Sequence, residues 1–105
     1  MLYYVLLHFI KLSMIINWKS KKLQRFFYKG IQKGIDAKLV NKLLYLLTQL
    51  DKAECPNDIN IVGYDFHALK GNKTGLYAIK VTANYRLFFG FKGTNVIAAD
   101  YEDYH

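Results

Sequence analysis

The last third of the chain, residues 70–105, contains three apolar, aromatic-rich runs separated by short polar turns. In the first run, Tyr77, Ile79 and Val81 alternate with Ala78 and Lys80. Alternation at period two is typical of a strand with one buried face. Three strands joined by connections this short are most simply an antiparallel meander. The segment therefore requires a fold that contains a small antiparallel sheet.

The second run places Arg86 in the central strand of this meander. The apolar positions of the run share one face of the strand: Tyr85, Leu87, Phe89 and Phe91. The other face carries Arg86, Phe88 and Lys92. A polar turn over residues 92–95 leads into the third strand, Val96 to Tyr101. We expect Arg86 to project beside the strand that runs on into Tyr104 and His105.

Two amphipathic helices are predicted before the sheet. Ser20 is a plausible N-cap for a helix through about Lys29, and Gly30 supplies the backbone freedom that a helix end needs. Asp36 caps a second helix running to about Leu50. Its broad apolar face consists of Leu39, Val40, Leu43, Leu44, Leu46, Leu47 and Leu50. Because this face must be buried, we predict an α+β fold, with two N-terminal helices packed on a small antiparallel β-sheet.

Three other segments complete the prediction. Residues 15–18 could form a short opening strand, and residues 64–69 read as a further strand that carries His67. Residues 51–63 have loop composition, and Pro56 cannot continue a helix. Residues 71–75 form a polar hairpin loop without the spacing of a phosphate-binding loop, which argues against nucleotide binding.

Composition limits the chain to one domain and points to a reducing compartment. A chain of 105 residues, 52% hydrophobic, is large enough for one core and excludes a disordered protein. The single cysteine, Cys55, cannot form an internal disulfide, so we expect a cytoplasmic protein. Cys55 has no histidine near it in the sequence and is interpreted as a structural or surface thiol. No His/Cys cluster has metal-ligand spacing, so no metal is expected.

The net charge of +7 favours polyanionic partners, which are nucleic acid, an acidic protein or anionic lipid. Residues 19–42 contain one acid, Asp36, and eight basic residues: Lys19, Lys21, Lys22, Arg25, Lys29, Lys33, Lys38 and Lys42. A solvated helical face is the simpler interpretation of such a run. The one-sided excess favours phosphate contact.

Several short motifs lie in and beside the predicted meander: Leu69-Lys70-Gly71, Gly75, Ile79, Val81, Asn84-Tyr85-Arg86 and Asp100-Tyr101-Glu102-Asp103-Tyr104-His105. This series resembles the HigB (plasmid-maintenance killer) branch of the RelE/ParE toxin superfamily. The closing Tyr-Glu-Asp-Tyr-His together with Asn-Tyr-Arg at this distance is a specific match. The resemblance extends back to about Met14, and it implies the RelE-like microbial RNase fold.

Residues 1–13 precede the part of the chain that the resemblance covers. They are strongly apolar but too few for a membrane-spanning helix, which needs about 20 residues. They also lack the basic start and the small-residue cleavage site of a signal peptide. Because chains of the family begin at a position that matches Met14, residues 1–13 are expected to be a non-native or flexible extension. Residues 14–105 are then the toxin domain. A membrane-associating or packing segment is the alternative.

The resemblance implies RNA cleavage without a metal or organic cofactor. The ribose 2′-hydroxyl attacks the adjacent phosphorus, so the site needs proton-transfer groups and cations. The positions that match catalytic positions of the family are Lys70, Arg86, Tyr104 and His105. Substrate contact is expected from His67, Lys73, Asn84 and Asp103, and ribosomal RNA contact from Lys21, Lys22, Arg25 and Lys29.

Each assignment has a structural alternative. Arg86 could pair with Asp100 or Glu102 on the neighbouring strand, although its planar guanidinium matches a phosphate. His105, as the last residue, could be an inert terminus, although its ring titrates near neutrality. Tyr104 could stack on a base or cover the core, and Lys70 could be a solvated loop lysine.

The function that the resemblance implies is that of a type II toxin, a ribosome-dependent mRNA endonuclease that inhibits translation. The implied partners are the ribosome, mRNA and a HigA-like helix-turn-helix antitoxin. The toxin would reach operator DNA only through this antitoxin. No membrane partner is expected. Two alternatives remain: a ParE-like DNA gyrase poison, and an inactive toxin fold that serves as a binding or operon-regulatory module.

Overall fold

The computed structural model describes residues 14–103. Residues 1–13, 104 and 105 lie outside this range. The predicted extension therefore stays a prediction.

Helix α1, Lys21–Lys29, has the predicted ends. The Ser20 hydroxyl oxygen accepts a hydrogen bond from the Leu23 amide at 3.0 Å, which satisfies one of the free N–H groups of the first turn. At the other end, Gly30 has φ +68°, and its amide donates to the Phe26 carbonyl. Glycine adopts this left-handed backbone conformation more readily than any other residue. The predicted N-cap, Ser20, and the predicted helix end at Gly30 are both confirmed. Leu23 and Phe26 of this helix are buried in the core.

Helix α2, Val40–Lys52, follows a short 3₁₀ turn, Ala37–Leu39, that Asp36 caps. Its buried side chains are Leu43, Leu46, Leu47 and Leu50, all 0% exposed. Leu44 was predicted to share this face but is 43% exposed. Successive helical residues are rotated by about 100°, which carries Leu44 to the edge of the buried stripe. That part of the prediction is wrong.

Four strands form one antiparallel sheet in the order β1-β2-β3-β4, which confirms the meander. The strands are β1, His67–Ala68; β2, Leu76–Lys80; β3, Tyr85–Lys92; and β4, Asn95–Asp103. The strand predicted over residues 64–69 is only two residues long. Asp65 has φ +47°, a left-handed conformation that interrupts an extended strand.

The opening segment, residues 14–19, lies parallel to β4 on the side away from β3. The Ile16 amide donates to the Val96 carbonyl, and the Val96 amide donates to the Met14 carbonyl, both at 2.9 Å. The predicted opening strand consists of two separate bridges, Ile15 with Val96 and Trp18 with Ala99. Between them Ala98 has φ +55° and donates to the Asn17 side chain, which breaks a continuous ladder.

The core lies between the two helices and one face of the sheet. The four buried leucines of α2 and Leu23 of α1 form one cluster with Ile79, Leu87 and Phe89 of the sheet, all 0% exposed. The sheet face away from the helices is called the outer face below. In residues 14–103, no helix is long and apolar enough to cross a membrane.

Candidate active site

Strand register assigns Arg86 to the outer face. Leu87 is paired with Ile79 and Tyr101, and these three side chains point into the core. Because side chains alternate between faces along a strand, Arg86 points the other way. Directly opposed residues share a face, so Lys80, Arg86 and Glu102 form a cross-strand row on the outer face.

A second row on the outer face brings His67 to the same side as Arg86. The row runs across all four strands through Ala78 and Phe88 to Asp100. His67 is exposed, whereas Phe88 is only 7% exposed, so the row has a buried centre and a polar edge. The ammonium of Lys73 lies 5.7 Å from the centroid of the Phe88 ring. His67, Lys73 and Arg86, three of the predicted residues, thus share one face.

The guanidinium of Arg86 is held by the turn that joins β2 to β3. Its Nη1 donates to the Thr82 carbonyl at 2.7 Å, to the Ala83 carbonyl at 3.2 Å and to the Tyr85 carbonyl at 3.4 Å. Contacts from a single nitrogen to three carbonyls of one turn restrict the plane of the guanidinium. The turn therefore orients a permanently charged group at the end of the sheet.

The two carboxylates that the sequence offers as ion-pair partners of Arg86, Glu102 and Asp100, lie at different positions on β4. Glu102 is the direct register partner of Arg86. The Asp100 carboxylate lies 3.9 Å from the Lys19 ammonium and accepts a hydrogen bond from the Tyr101 amide. The contacts of Arg86 Nη1 described above are with backbone carbonyls of the β2–β3 turn.

The ring of His67 is oriented by a local hydrogen bond. Its Nδ1 lies 2.9 Å from the Asp65 carbonyl, which can only accept, so Nδ1 carries the proton. In the neutral ring Nε2 is then the free acceptor. Asp65, whose left-handed φ interrupts the strand before β1, is thus also the residue that contacts the histidine ring.

The remaining predicted residues on this side lie in two loops. Asn84 is exposed in the β2–β3 turn, where its backbone amide donates to the Thr82 hydroxyl. Lys70 is exposed and directly precedes the 3₁₀ turn Gly71–Lys73 between β1 and β2. Tyr104 and His105 lie outside the described residues.

Two groups of predicted residues lie on the helical side of the sheet. Asp103 is the register partner of Tyr85, whose ring stacks on that of Tyr101 at 5.2 Å, so alternation directs Asp103 away from Arg86. Helix α1 packs against β4. Its Lys21, Arg25 and Lys29 are exposed at a spacing of four residues, which puts them on one side of the helix.

Lys22 differs from the other basic residues of α1. Its side chain is half-buried, and its ammonium lies 5.9 Å from the centroid of the Tyr101 ring. The Cδ atom of its side chain lies only 2.6 Å from the point where a β-carbon on Gly34 would stand. Lys22 therefore covers the core as well as carrying charge.

Sequence reasoning missed two residues that share the Arg86 neighbourhood, Lys80 and Thr82, and named Glu102 only as an alternative ion-pair partner of Arg86. Lys80 could have been found by extending the period-two pattern across the meander, because it is a polar position opposite Arg86. Thr82 had a weaker signal, a hydroxyl residue two positions before Asn84 in a turn. Within residues 14–103, no three His, Cys, Asp or Glu side chains are grouped closely enough to hold a metal ion.

Comparison with known proteins identifies the family. A family model described as RelE-like toxin of type II toxin-antitoxin system HigB matches residues 16–105. The chain belongs to this family of HigB-like toxins. A type II toxin is paired with a protein antitoxin, so this HigB-like toxin has an antitoxin as its partner.

Individual relatives agree in sequence and in fold. The chain is 36% identical over 92 residues to the protein named Endoribonuclease HigB from Proteus vulgaris, covering 88% of this chain and all of that protein. The structure of the YoeB dimer from Staphylococcus aureus matches with a TM-score of 0.55 and 21% identity, over 88% of this chain and 97% of the other. The YoeB/ParE toxin from Agrobacterium tumefaciens matches with a TM-score of 0.54 and 20% identity, over 88% and 99%. These two likenesses confirm the RelE-like α+β fold.

Tyr101 of this HigB-like toxin is expected to make stability fall in alkaline solution. Burial, followed by the charges of Tyr85, Asp36 and Asp103, raises the pKa of Tyr101 from 10.0 to about 12. The unfolded chain therefore loses this proton at lower pH than the folded chain, so stability falls as pH rises from about 10 to 12. Tyr101→Phe should reduce that fall, as urea unfolding of both proteins at several pH values would measure.

The same variant should be tolerated at neutral pH. The Tyr101 hydroxyl is buried and has no hydrogen-bond partner among the residues that the structure describes. Its removal leaves no partner unsatisfied, so Tyr101→Phe should change the free energy of unfolding at pH 7 by less than about 1 kcal/mol. A larger loss would mean that the hydroxyl has a stabilising contact. An unchanged alkaline slope would show that Tyr101 is not the group responsible.

Proposed function

We propose that this HigB-like toxin is an endoribonuclease that cuts mRNA while it is being translated on the ribosome and so inhibits translation. The observation that carries the proposal is the 36% identity to Endoribonuclease HigB over the full length of that relative. The oriented guanidinium of Arg86 on the outer face supports it, because RNA cleavage develops negative charge on the phosphoryl oxygens.

The proposed reaction is metal-independent attack of the ribose 2′-hydroxyl on the adjacent phosphorus. The 2′-oxygen–phosphorus bond forms as the bond from phosphorus to the leaving 5′-oxygen breaks. The proton of the 2′-hydroxyl goes to a general base, and a general acid protonates the leaving oxygen. Arg86 neutralises charge on the phosphoryl oxygens, while Lys70, Tyr104 and His105 are the candidates for proton transfer and for additional charge neutralisation.

The two surfaces of the domain are assigned different RNA contacts. His67, Lys73 and Asn84 lie on the Arg86 side and are proposed to hold the mRNA. Asp103, directed to the helical side, is proposed to act on the mRNA through the chain end that follows it. Lys21, Arg25 and Lys29 are exposed on α1, with Lys22 beside them, and are proposed to bind ribosomal RNA. Separate surfaces suit an enzyme that must dock on one RNA while it cuts another.

The antitoxin is proposed to be a HigA-like protein with a helix-turn-helix DNA-binding domain. It would neutralise the toxin and contact operator DNA, so that the toxin reaches the operator only through the antitoxin. A nuclease of translated mRNA with such a partner would act in the cytoplasm.

Cleavage assays with matched substrates test the proposal. The full chain is incubated with one mRNA in three forms: naked, translated, and translated with a 2′-deoxynucleotide at the mapped cut site. We expect cuts only in the translated all-ribose mRNA, with a 2′,3′-cyclic phosphate upstream and a 5′-hydroxyl downstream. Cutting of the deoxy form would exclude attack by the 2′-hydroxyl. Equal cutting of naked and translated mRNA would show that cleavage does not depend on the ribosome. Intact mRNA together with gyrase-dependent DNA breaks would assign the gyrase-poison function.

A further inference from the structure

The β2–β3 turn contains one residue that contacts both the turn backbone and Arg86. The Thr82 hydroxyl oxygen accepts hydrogen bonds from the Asn84 amide at 3.2 Å and from the Tyr85 amide at 3.3 Å. The Thr82 carbonyl accepts a hydrogen bond from Arg86 Nη1 at 2.7 Å, the shortest of the three contacts with turn carbonyls. One residue thus closes the turn through its side chain and holds the guanidinium through its backbone.

These two sets of contacts are mechanically linked. The hydroxyl draws the amides of Asn84 and Tyr85 toward residue 82, which sets the direction of the peptide units between them. Those peptide units include the Ala83 carbonyl, the second acceptor for Arg86. The amides of Val81 and Thr82 both donate to the Tyr85 carbonyl, at 3.0 and 3.3 Å, and join the turn to the first residue of β3. A change in the hydroxyl contacts therefore moves the acceptors that orient the guanidinium.

We infer that Thr82 is a positioning residue for Arg86, acting on the scissile phosphate only through the guanidinium. The inference rests on the proposed nuclease function and adds to it a residue that need not touch RNA. Threonine suits the position because a hydroxyl can accept from two amides at once, and the branched side chain restricts χ1. Valine at residue 82 would keep the branched shape and lose both contacts.

Kinetics of Thr82→Val and Thr82→Ser on translated mRNA provide the first test. Thr82→Val is expected to lower kcat on the order of 10- to 100-fold with little change in KM, because misplacement of a catalytic group by about 1 Å has effects of this size. Thr82→Ser keeps the hydroxyl and should restore most of the rate. Thr48→Val is the matched control, since the Thr48 hydroxyl donates to the Leu44 carbonyl within its own helix, on the exposed surface of α2.

The second test is independent of cleavage and uses the fact that the chain has two arginines, Arg25 and Arg86. Solvent exchange of the arginine Nη–H groups is followed by NMR in the full chain, because Nη1 is the nitrogen of Arg86 that donates to the turn carbonyls. Thr82→Val should accelerate exchange at Arg86 and leave Arg25, on α1, unchanged, while Thr82→Ser and Thr48→Val should match the parent protein. Faster Arg86 exchange together with lower kcat supports the inference.

Three outcomes would overturn the positioning role. They are an unchanged rate in Thr82→Val, a lower rate with unchanged Arg86 exchange, and a Thr82→Ser variant as impaired as Thr82→Val. If Thr82→Val does not fold, Thr82→Ala takes its place, with the same expected loss and the same exchange readout. A parent chain that cuts no translated mRNA would instead contradict the proposed function, whatever the exchange rates show.

Discussion

Arg86→Ala is expected to lower cleavage of translated mRNA by about 100-fold or more and to abolish growth arrest in cells that express it. Removing one preoriented group that stabilises developing charge typically costs about 10²–10³ in kcat. The loss should fall on kcat, because the guanidinium acts on charge that develops in the transition state. Growth curves and mapping of mRNA 5′ ends in the same cultures would measure both effects.

The control for this prediction is Lys38→Ala, which removes one positive charge from the exposed turn before α2 and should leave cleavage unchanged. Arg86→Ala should also remain folded. Its Nη1 contacts are with turn carbonyls of residues 82, 83 and 85, where water can replace it, and its side chain lies outside the core. An unfolded Arg86→Ala protein would assign the residue a structural role, and a fully active one would remove it from the site.

Leu43→Ala is expected to destabilise the folded protein by about 2–5 kcal/mol, the range for buried leucines in well-packed cores. Leu43 is 0% exposed and belongs to the cluster that joins α2 to the sheet. Truncation removes apolar contacts and leaves a cavity that the neighbouring side chains fill only partly. Urea unfolding, with the slope m checked for constancy between variants, would measure the loss.

Leu44→Ala is the matched control, because it makes the same change one residue later in the same helix. Leu44 is 43% exposed, so the loss should be within about 0.5 kcal/mol, as is usual for surface substitutions. Equal losses at the two positions would contradict the described orientation of α2. Leu44→Ala also tests the apolar-face prediction that the structure corrects.

The sheet could be predicted from the sequence because its pattern is local. Alternation through Tyr77, Ile79 and Val81 and the short polar turns are sufficient to predict an antiparallel meander, and the structure has one. Ser20 and Gly30 gave the ends of α1 for the same reason, since each acts within one helical turn. Such features depend on neighbours a few residues away.

Features that depend on distant partners were not predictable in the same way. The pattern could not show that Asp65 takes a left-handed conformation and shortens β1, or that Ala98 interrupts the pairing of the opening segment with β4. Leu44 lies at the edge of the buried stripe of α2, and packing of the four buried leucines on the core leaves it exposed. In each case tertiary packing decides between conformations that the local sequence allows.

In the candidate site, too, some features follow from local sequence and others depend on tertiary contacts. The residue types of the site came from the resemblance, and Arg86 was placed on a central strand by alternation alone. The sequence could not predict the hydrogen bonds of Arg86 to the turn or the role of Thr82 in them, because a long flexible side chain can reach many acceptors. The contributions of Tyr104 and His105 stay predictions, since both lie outside the described residues.

The pairing of residues 14–19 with β4 has a consequence for how the chain folds. The Met14 carbonyl bonds to the Val96 amide, so the first and last described segments of the domain must meet before the sheet is complete. Contacts of such long sequence separation close large loops and form late. During synthesis the two helices emerge with no finished sheet to cover them. Such a toxin gains its complete sheet only after β4, Asn95–Asp103, has been synthesised.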